Sequence, residues 1–260
     1  MTSEYSMQSV NGQNKVPEIT LSFWIIKILS TTVGETGADY LAVNAGWGQG
    51  ITRIVMGALL CAILALQLGS GRLRPWLYWL AVVLVSVVGT QITDLLTDGL
   101  GVSLYLSTAL FAAALAAIFA IWYRSEGTLS IHTIVTRRRE SFYWAAILCT
   151  FALGTAAGDL ATEATGLGFA RGVIIFGVLI AVTWLLFRAD VNAVVTFWFA
   201  YVLTRPFGAA LGDLLTQART YGGLGLGAQW TSALFLAAIV GLVATVEFNA
   251  RPRRANSQTP

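Results

Sequence analysis

One pattern occurs four times in this chain with identical spacing: a tryptophan, nine residues, a glycine, four residues and an aspartate. It reads Trp24–Gly34–Asp39, Trp79–Gly89–Asp94, Trp144–Gly154–Asp159 and Trp198–Gly208–Asp213. Self-similarity at such a period means one supersecondary unit copied and stacked on itself. The unit must also be apolar, because 56% of the 260 residues are hydrophobic and only 11% charged. A soluble domain carries about 25% charged residues. The chain therefore lacks the polar surface of a cytosolic enzyme or a nucleic-acid reader. Cys61 and Cys149 both lie in apolar runs, which excludes a disulfide scaffold.

Eight apolar segments are read, over residues 18–41, 51–69, 76–97, 102–123, 142–162, 171–188, 193–216 and 227–247. Each is near the length at which a helix crosses hydrocarbon, and none alternates as a barrel strand would. The expectation is an all-α integral membrane protein of eight transmembrane helices. They form four parallel two-helix repeats around a pseudo-symmetry axis, since every unit of two spans enters the bilayer the same way round. The boundaries are a disordered cytoplasmic N-terminus at 1–16, repeats at 17–69, 70–123, 142–188 and 189–248, a basic cytoplasmic loop at 124–141, and a basic disordered tail at 249–260. No cleavable signal peptide is read in the polar opening.

Basic residues set the orientation. The side shared by the termini and the even-to-odd loops holds eleven Lys and Arg, including Lys15, Arg72, Arg74 and the run Arg137–Arg138–Arg139, and the other side holds Arg53, Arg171 and Arg219. Both termini are expected in the cytoplasm. The triple arginine reads as a topological anchor, or alternatively as a patch for anionic lipid or a partner.

All four motif copies fall on odd-numbered helices. Trp24, Trp79, Trp144 and Trp198 lie near the cytoplasmic ends, where indole rings serve as interface anchors; packing inside the bundle is the other reading. Gly34, Gly89, Gly154 and Gly208 sit mid-span and are read as close helix–helix contacts. The aspartates lie fifteen residues beyond the tryptophans, about 22 Å of helix rise, near the outer end. Ionisable groups in a span are costly and should face the bundle interior, water or a partner.

Steps of four from each aspartate trace one polar helix face. Helix 1 gives Lys27, Thr31, Glu35 and Asp39; helix 3 gives Ser86, Thr90, Asp94 and Asp98, with Gln91 alongside; helix 5 gives Thr155, Asp159 and Glu163; helix 7 gives Tyr201, Arg205, Ala209 and Asp213. Thr31, Ser86, Thr90, Gln91 and Thr155 make a polar path. Seven carboxylates (Glu35, Asp39, Asp94, Asp98, Asp159, Glu163, Asp213) face two cations, Lys27 and Arg205, with Arg53 and Arg171 as further counter-charges if they line the same vestibule. An oxygen-rich, negatively biased path suits a hard divalent cation such as Mn²⁺ or Ca²⁺, and no histidine or methionine on these faces points to a soft metal. Lys27 and Arg205 read either as counter-charges that exchange partners during transport or as static buried pairs.

The opening KVPEITLSFWIIKILSTTVGETGADYL, with its tryptophan and two-span unit, resembles the N-terminal unit of a bacterial inner-membrane family built of four tandem two-helix repeats of unknown function. The resemblance spans roughly 15–248 and implies the architecture, with no particular substrate. A looser similarity joins Gly34 to Asp39 with the Glu/Asp helices of cation exchangers that move Ca²⁺ or Mn²⁺.

The functional expectation is a membrane transporter of a hard cation, coupled to protons through the intramembrane carboxylates. The alternative is a non-catalytic membrane sensor or scaffold. No enzyme activity and no resident cofactor beyond a bound divalent cation are expected. The expected partners are the lipid bilayer, the transported cation and protons, with no nucleic acid.

Overall fold

Eight long helices run through the described part of the chain in the computed structural model. It describes residues 14–255, leaving the side chains of residues 38, 39, 43, 44 and 249–255 outside the description. The helices are α1 (Leu21–Asp39), α2 (Gly48–Gly69), α3 (Pro75–Asp94), α4 (Leu104–Glu126), α5 (Arg137–Asp159), α6 (Phe169–Arg188), α7 (Ala193–Thr216) and α8 (Ala228–Ala255). Their starts follow from local chemistry. Pro75 occupies the first turn of α3, and the side chains of Thr20, Ser103, Thr136 and Asn192 cap α1, α4, α5 and α7.

Seven of these helices are long and apolar enough to cross a membrane. The exception is α1, in which Lys27, Glu35 and five hydroxyl residues lower the hydropathy. Its position explains how this is tolerated: α1 packs against α3, α7 and α8, so its polar groups meet protein instead of lipid. Its buried hydroxyls bond carbonyls of their own helix, Ser30 to Ile26 at 2.7 Å and Thr36 to Thr32 at 3.0 Å.

The odd helices close an inner ring, α1 on α3, α3 on α5, α5 on α7 and α7 on α1. The even helices form an outer shell with an unforeseen connectivity. Each lies against the odd helix of the following repeat: α2 on α3, α4 on α5, α6 on α7, and α8 on α1. The last contact brings the end of the chain onto its beginning and closes the circle. Burial follows this layering. In the spanning windows 50–61% of residues are buried on α3, α5 and α7, against 11–17% on α2, α4, α6 and α8. The outer shell shows lipid a continuous apolar face, with Ile54, Leu66, Leu110, Ile174 and Val240 all exposed.

The motif glycines set the ring's spacing. A methyl group at Gly34 would overlap Ser86, at Gly89 Phe151, at Gly154 Arg205, and at Gly208 Thr31. Every one of these partners stands three residues before the glycine of its own helix. Each glycine thus receives the equivalent position of the next odd helix. This register makes the four odd helices parallel and related by a pseudo-fourfold axis, as the repeat implied.

Three expected boundaries change. The 124–141 loop is shorter, because α4 runs to Glu126 and α5 begins at Arg137. The helix α8 continues to Ala255, through the first part of the expected tail, whose remainder lies outside the described residues. Lys15 and Val16, expected to be disordered, are buried at 4% and 3% exposure; the rest of that expectation falls on residues outside the description.

The tryptophans also need correction as interface anchors. Trp79, Trp144 and Trp198 are buried and Trp24 is half-buried. The cause is the residue before each: Phe23, Tyr78, Tyr143 and Phe197 form a buried aromatic layer, and the indoles pack edge-on against it. Among the described residues, the exposed tryptophans and tyrosines at the two ends of the bundle are instead non-repeat residues. They are Trp76, Tyr123 and Trp184 at the end bearing Lys15, and Trp47, Tyr105, Tyr221 and Trp230 at the opposite end.

Candidate functional site

The polar face predicted on each odd helix lies in layers within the inner ring. From the end bearing Lys15, the first layer is aromatic: Phe23, Tyr78, Tyr143 and Phe197. Above it come Lys27, Val82, Ile147 and Tyr201, all buried. The third layer is Thr31, Ser86, Phe151 and Arg205, the residues that fit against the glycines. Then follow Glu35, Thr90, Thr155 and Ala209, and finally the aspartates.

The side chain that joins these layers is Arg205. It is fully buried, and its guanidinium reaches the other three inner helices. Nη1 donates to the Thr31 carbonyl at 3.1 Å, while Nη2 donates to Glu35 at 2.8 Å, to the Thr155 hydroxyl at 2.7 Å and to the Thr90 hydroxyl. Thr90 donates to the same Glu35 oxygen at 3.2 Å. Glu35, Thr90 and Thr155 hold one repeat position; the fourth copy is Ala209, a methyl in place of a longer side chain. A charge-assisted cluster of this kind, in low dielectric, ties all four helices at one level.

Among the described residues Lys27 pairs with no carboxylate, whereas both readings of its role gave it one. Its ammonium donates to the Tyr201 carbonyl at 3.1 Å and lies over the rings of Tyr201 and Phe151 at 4.4 and 4.8 Å. Pro206 lies inside α7, and hydroxyls and the ammonium of α1 bond α7 carbonyls on either side of it: Lys27 at Tyr201, Thr31 at Thr204 (3.4 Å) and Thr32 at Gly208 (3.2 Å).

The carboxylate layer is uneven. Asp213 is buried, Asp94 and Asp159 are half-buried, and Asp98 and Glu163 are exposed beyond them. Asp159 lies within electrostatic reach of Glu35, Asp213, Glu163 and Asp94. The Asp39 side chain falls outside the description. Among the described residues, no three His, Cys, Asp or Glu side chains converge closely enough to hold a metal ion. Gln91 is buried beside its stripe with neither amide atom bonded in the structure. Arg171 is exposed and Arg53 half-buried, and neither forms an ion pair among the described residues.

Two features carried no signal in the spacing alone. In three repeats the aspartate is followed by a single π turn: Tyr40–Asn44, Leu95–Gly99 and Leu160–Ala164. Each is marked by an i-to-i+5 bond, Ala45 to Tyr40 (2.8 Å), Leu100 to Leu95 (3.0 Å) and Thr165 to Leu160 (3.1 Å). Such turns widen a helix end and recur at functional sites. The fourth repeat keeps α-helical bonding, Gln217 to Asp213 at 2.9 Å. The second feature is the aromatic layer, which the residue preceding each motif tryptophan would have disclosed.

An inner ring of parallel helices in an apolar shell, with a charged cluster on its axis, defines a multi-pass membrane protein of fourfold internal repeat. The chain belongs to the family described as Repeat of Unknown Function (DUF347), whose model matches residues 22–72, 77–128, 142–191 and 196–251. No curated protein and no solved structure matches it.

Proposed function

We propose that this protein is a membrane transporter for a hard cation, in which the cation and Arg205 compete for Glu35. The observation that carries the reading is the Arg205–Glu35 pair, buried on the axis directly beneath the aspartate layer. Two charges in such a position stabilise the fold little relative to apolar residues of similar volume, so their presence there calls for a role.

With Arg205 against it, Glu35 is neutralised and the path is closed. A cation entering from the aspartate end meets Asp94, Asp159 and Asp213, whose clustered charge favours its entry. To gain Glu35 as a ligand it must displace the guanidinium, which retains the Thr31 carbonyl and the Thr155 hydroxyl as alternative partners. Protonation of the same carboxylates would release the cation, which supplies the coupling to protons. Mn²⁺, Ca²⁺ and Mg²⁺ fit an all-oxygen donor set. We place the protein in a bacterial inner membrane from its resemblance to the repeat family, and both termini in the cytoplasm from the eleven-to-three division of basic residues. In this reading the chain carries its substrate without transforming it.

The test is thermal unfolding of purified protein in detergent, scanned over Mn²⁺, Ca²⁺ and Mg²⁺ between pH 6 and 8. At least one cation should stabilise wild type and leave Glu35→Gln unmoved. Equal stabilisation of both, or of neither, would show that Glu35 is not a cation ligand and leave the stripe a structural role.

A further inference from the structure

The segment between the two halves of the chain, residues 127–136, does not behave as a surface loop. Gly127 ends α4 in the left-handed conformation, and the chain then turns back under the inner ring. Ile131 and Ile134 are buried at 4% and 0% exposure, in one apolar cluster with Trp79, Trp144, Trp198 and the aromatic layer. Trp198 donates its indole N–H to the Leu129 carbonyl at 3.0 Å. The segment therefore packs with the aromatic layer at the end of the ring opposite the aspartates.

A second strand of chain pins it there. The Lys15 amide donates to the Ile134 carbonyl at 2.9 Å, and Val16 joins the same apolar cluster. The Lys15 ammonium pairs with Glu140 at 2.6 Å, and Gln67 donates to the other Glu140 oxygen at 3.0 Å. Lys15, Glu140 and Gln67 are all at most 4% exposed. This trio draws together the start of the described chain, the end of α2 and the first turn of α5. A buried pair of this geometry is strong while intact, and loss of either partner strands the other charge.

We propose that residues 127–136 form the inner gate of the bundle and that the Lys15–Glu140 pair is its latch. The inference rests on the transport reading, which requires the stripe to open at both ends in turn. At this end the aromatic layer of the ring helices closes the axis, and the connecting segment covers that layer from outside. The segment can withdraw without parting α1, α3, α5 and α7, and its withdrawal opens the aromatic layer to the cytoplasmic side. The Arg205–Glu35 cluster and the latch would then be two barriers in series, one near the aspartates and one at the cytoplasmic face.

The test uses a reporter cysteine, Ile134→Cys, in a chain carrying Cys61→Ala and Cys149→Ala. Ile134 is fully buried and lies in the segment itself, so it is reached only when the segment withdraws. A membrane-impermeant thiol reagent is applied to the cytoplasmic face of inside-out vesicles. Labelling should be slow with the latch intact and about tenfold faster with Lys15→Ala, the change expected when an opening equilibrium loses a charged hydrogen bond. Lys15→Arg should restore protection. Glu140→Gln, which keeps the shape of the carboxylate, serves as a second variant should Lys15→Ala fail to give monodisperse protein. Equal labelling in the intact and the well-folded latch-deficient proteins would overturn the gate. Faster labelling with no cation flux in any variant would retire the transport reading while supporting the gate.

Discussion

Gly154 on α5 and Arg205 on α7 are a matched pair: the missing side chain of the first is the space taken by the aliphatic stem of the second. A β-carbon at Gly154 would overlap the Arg205 stem and lie 3.1 Å from Pro206 Cδ. The charged cluster on the axis is therefore a consequence of helix packing, and the two cannot be altered independently.

Gly154→Ala should displace Arg205 as well as strain the α5–α7 seam, at a cost of about 1–3 kcal/mol, the usual overpacking penalty. Gly89→Ala should cost a similar amount, because its β-carbon would stand 2.6 Å from Phe151 Cβ. Gly57 and Gly241 have nothing within 4 Å of a built β-carbon, so alanine there should be neutral or slightly stabilising. Thermal unfolding of the four variants in one detergent checks the contrast; equal midpoints would mean that the ring is looser than described.

Removing one member of the buried pair should be worse than removing both. Arg205→Met or Glu35→Gln alone should cost about 3–5 kcal/mol for the larger loss, since each leaves a polar partner without its mate in the interior. The double variant should recover a substantial part of that. Unfolding measured across the four-member cycle gives the coupling directly, and strict additivity would count against a shared cluster.

Lipid exposure of tryptophan offers a test of the layering. Brominated phospholipids should quench Trp47, Trp76, Trp184 and Trp230, all exposed, and spare Trp79, Trp144 and Trp198. Single-tryptophan chains in vesicles would report this. Strong quenching of Trp144 would restore the anchor role that the structure removes.

Sidedness is checked by single cysteines. Those at Asp98 and Thr220, both exposed beyond the aspartate layer, should react with an impermeant reagent in intact cells, and one at the exposed His132 should not. Reaction at 132 would invert the topology.

The sequence disclosed what repeats. Fixed spacing located the ring helices, the glycine contacts and the axial stripe, because a period of four on a helix specifies a face without knowledge of its neighbours. Arg205 and Glu35 stood out as charges present in one copy only, but which cation faced which carboxylate depended on the order of the helices in space. Lys27 had the same local signature as Arg205 and turned to a carbonyl and two rings instead. Contacts between distant segments left no local trace. Lys15 and Glu140 are separated by 125 residues, so Lys15 read only as one of the orienting basic residues and Glu140 carried no signal. The tryptophans misled because amphipathic rings suit an interface and a packed aromatic layer equally well, and position along the helix does not separate the two.

Exchange of a cation and Arg205 at Glu35 is read out as flux. Wild type and Glu35→Gln are reconstituted in proteoliposomes, with uptake of Mn²⁺, Ca²⁺ and Mg²⁺ followed under an imposed proton gradient. Wild type should carry at least one of them well above protein-free vesicles, the gradient should alter the rate, and Glu35→Gln should fall to the protein-free level while remaining folded. Wild-type flux indistinguishable from empty vesicles for all three ions, or a variant as fast as wild type, would contradict it.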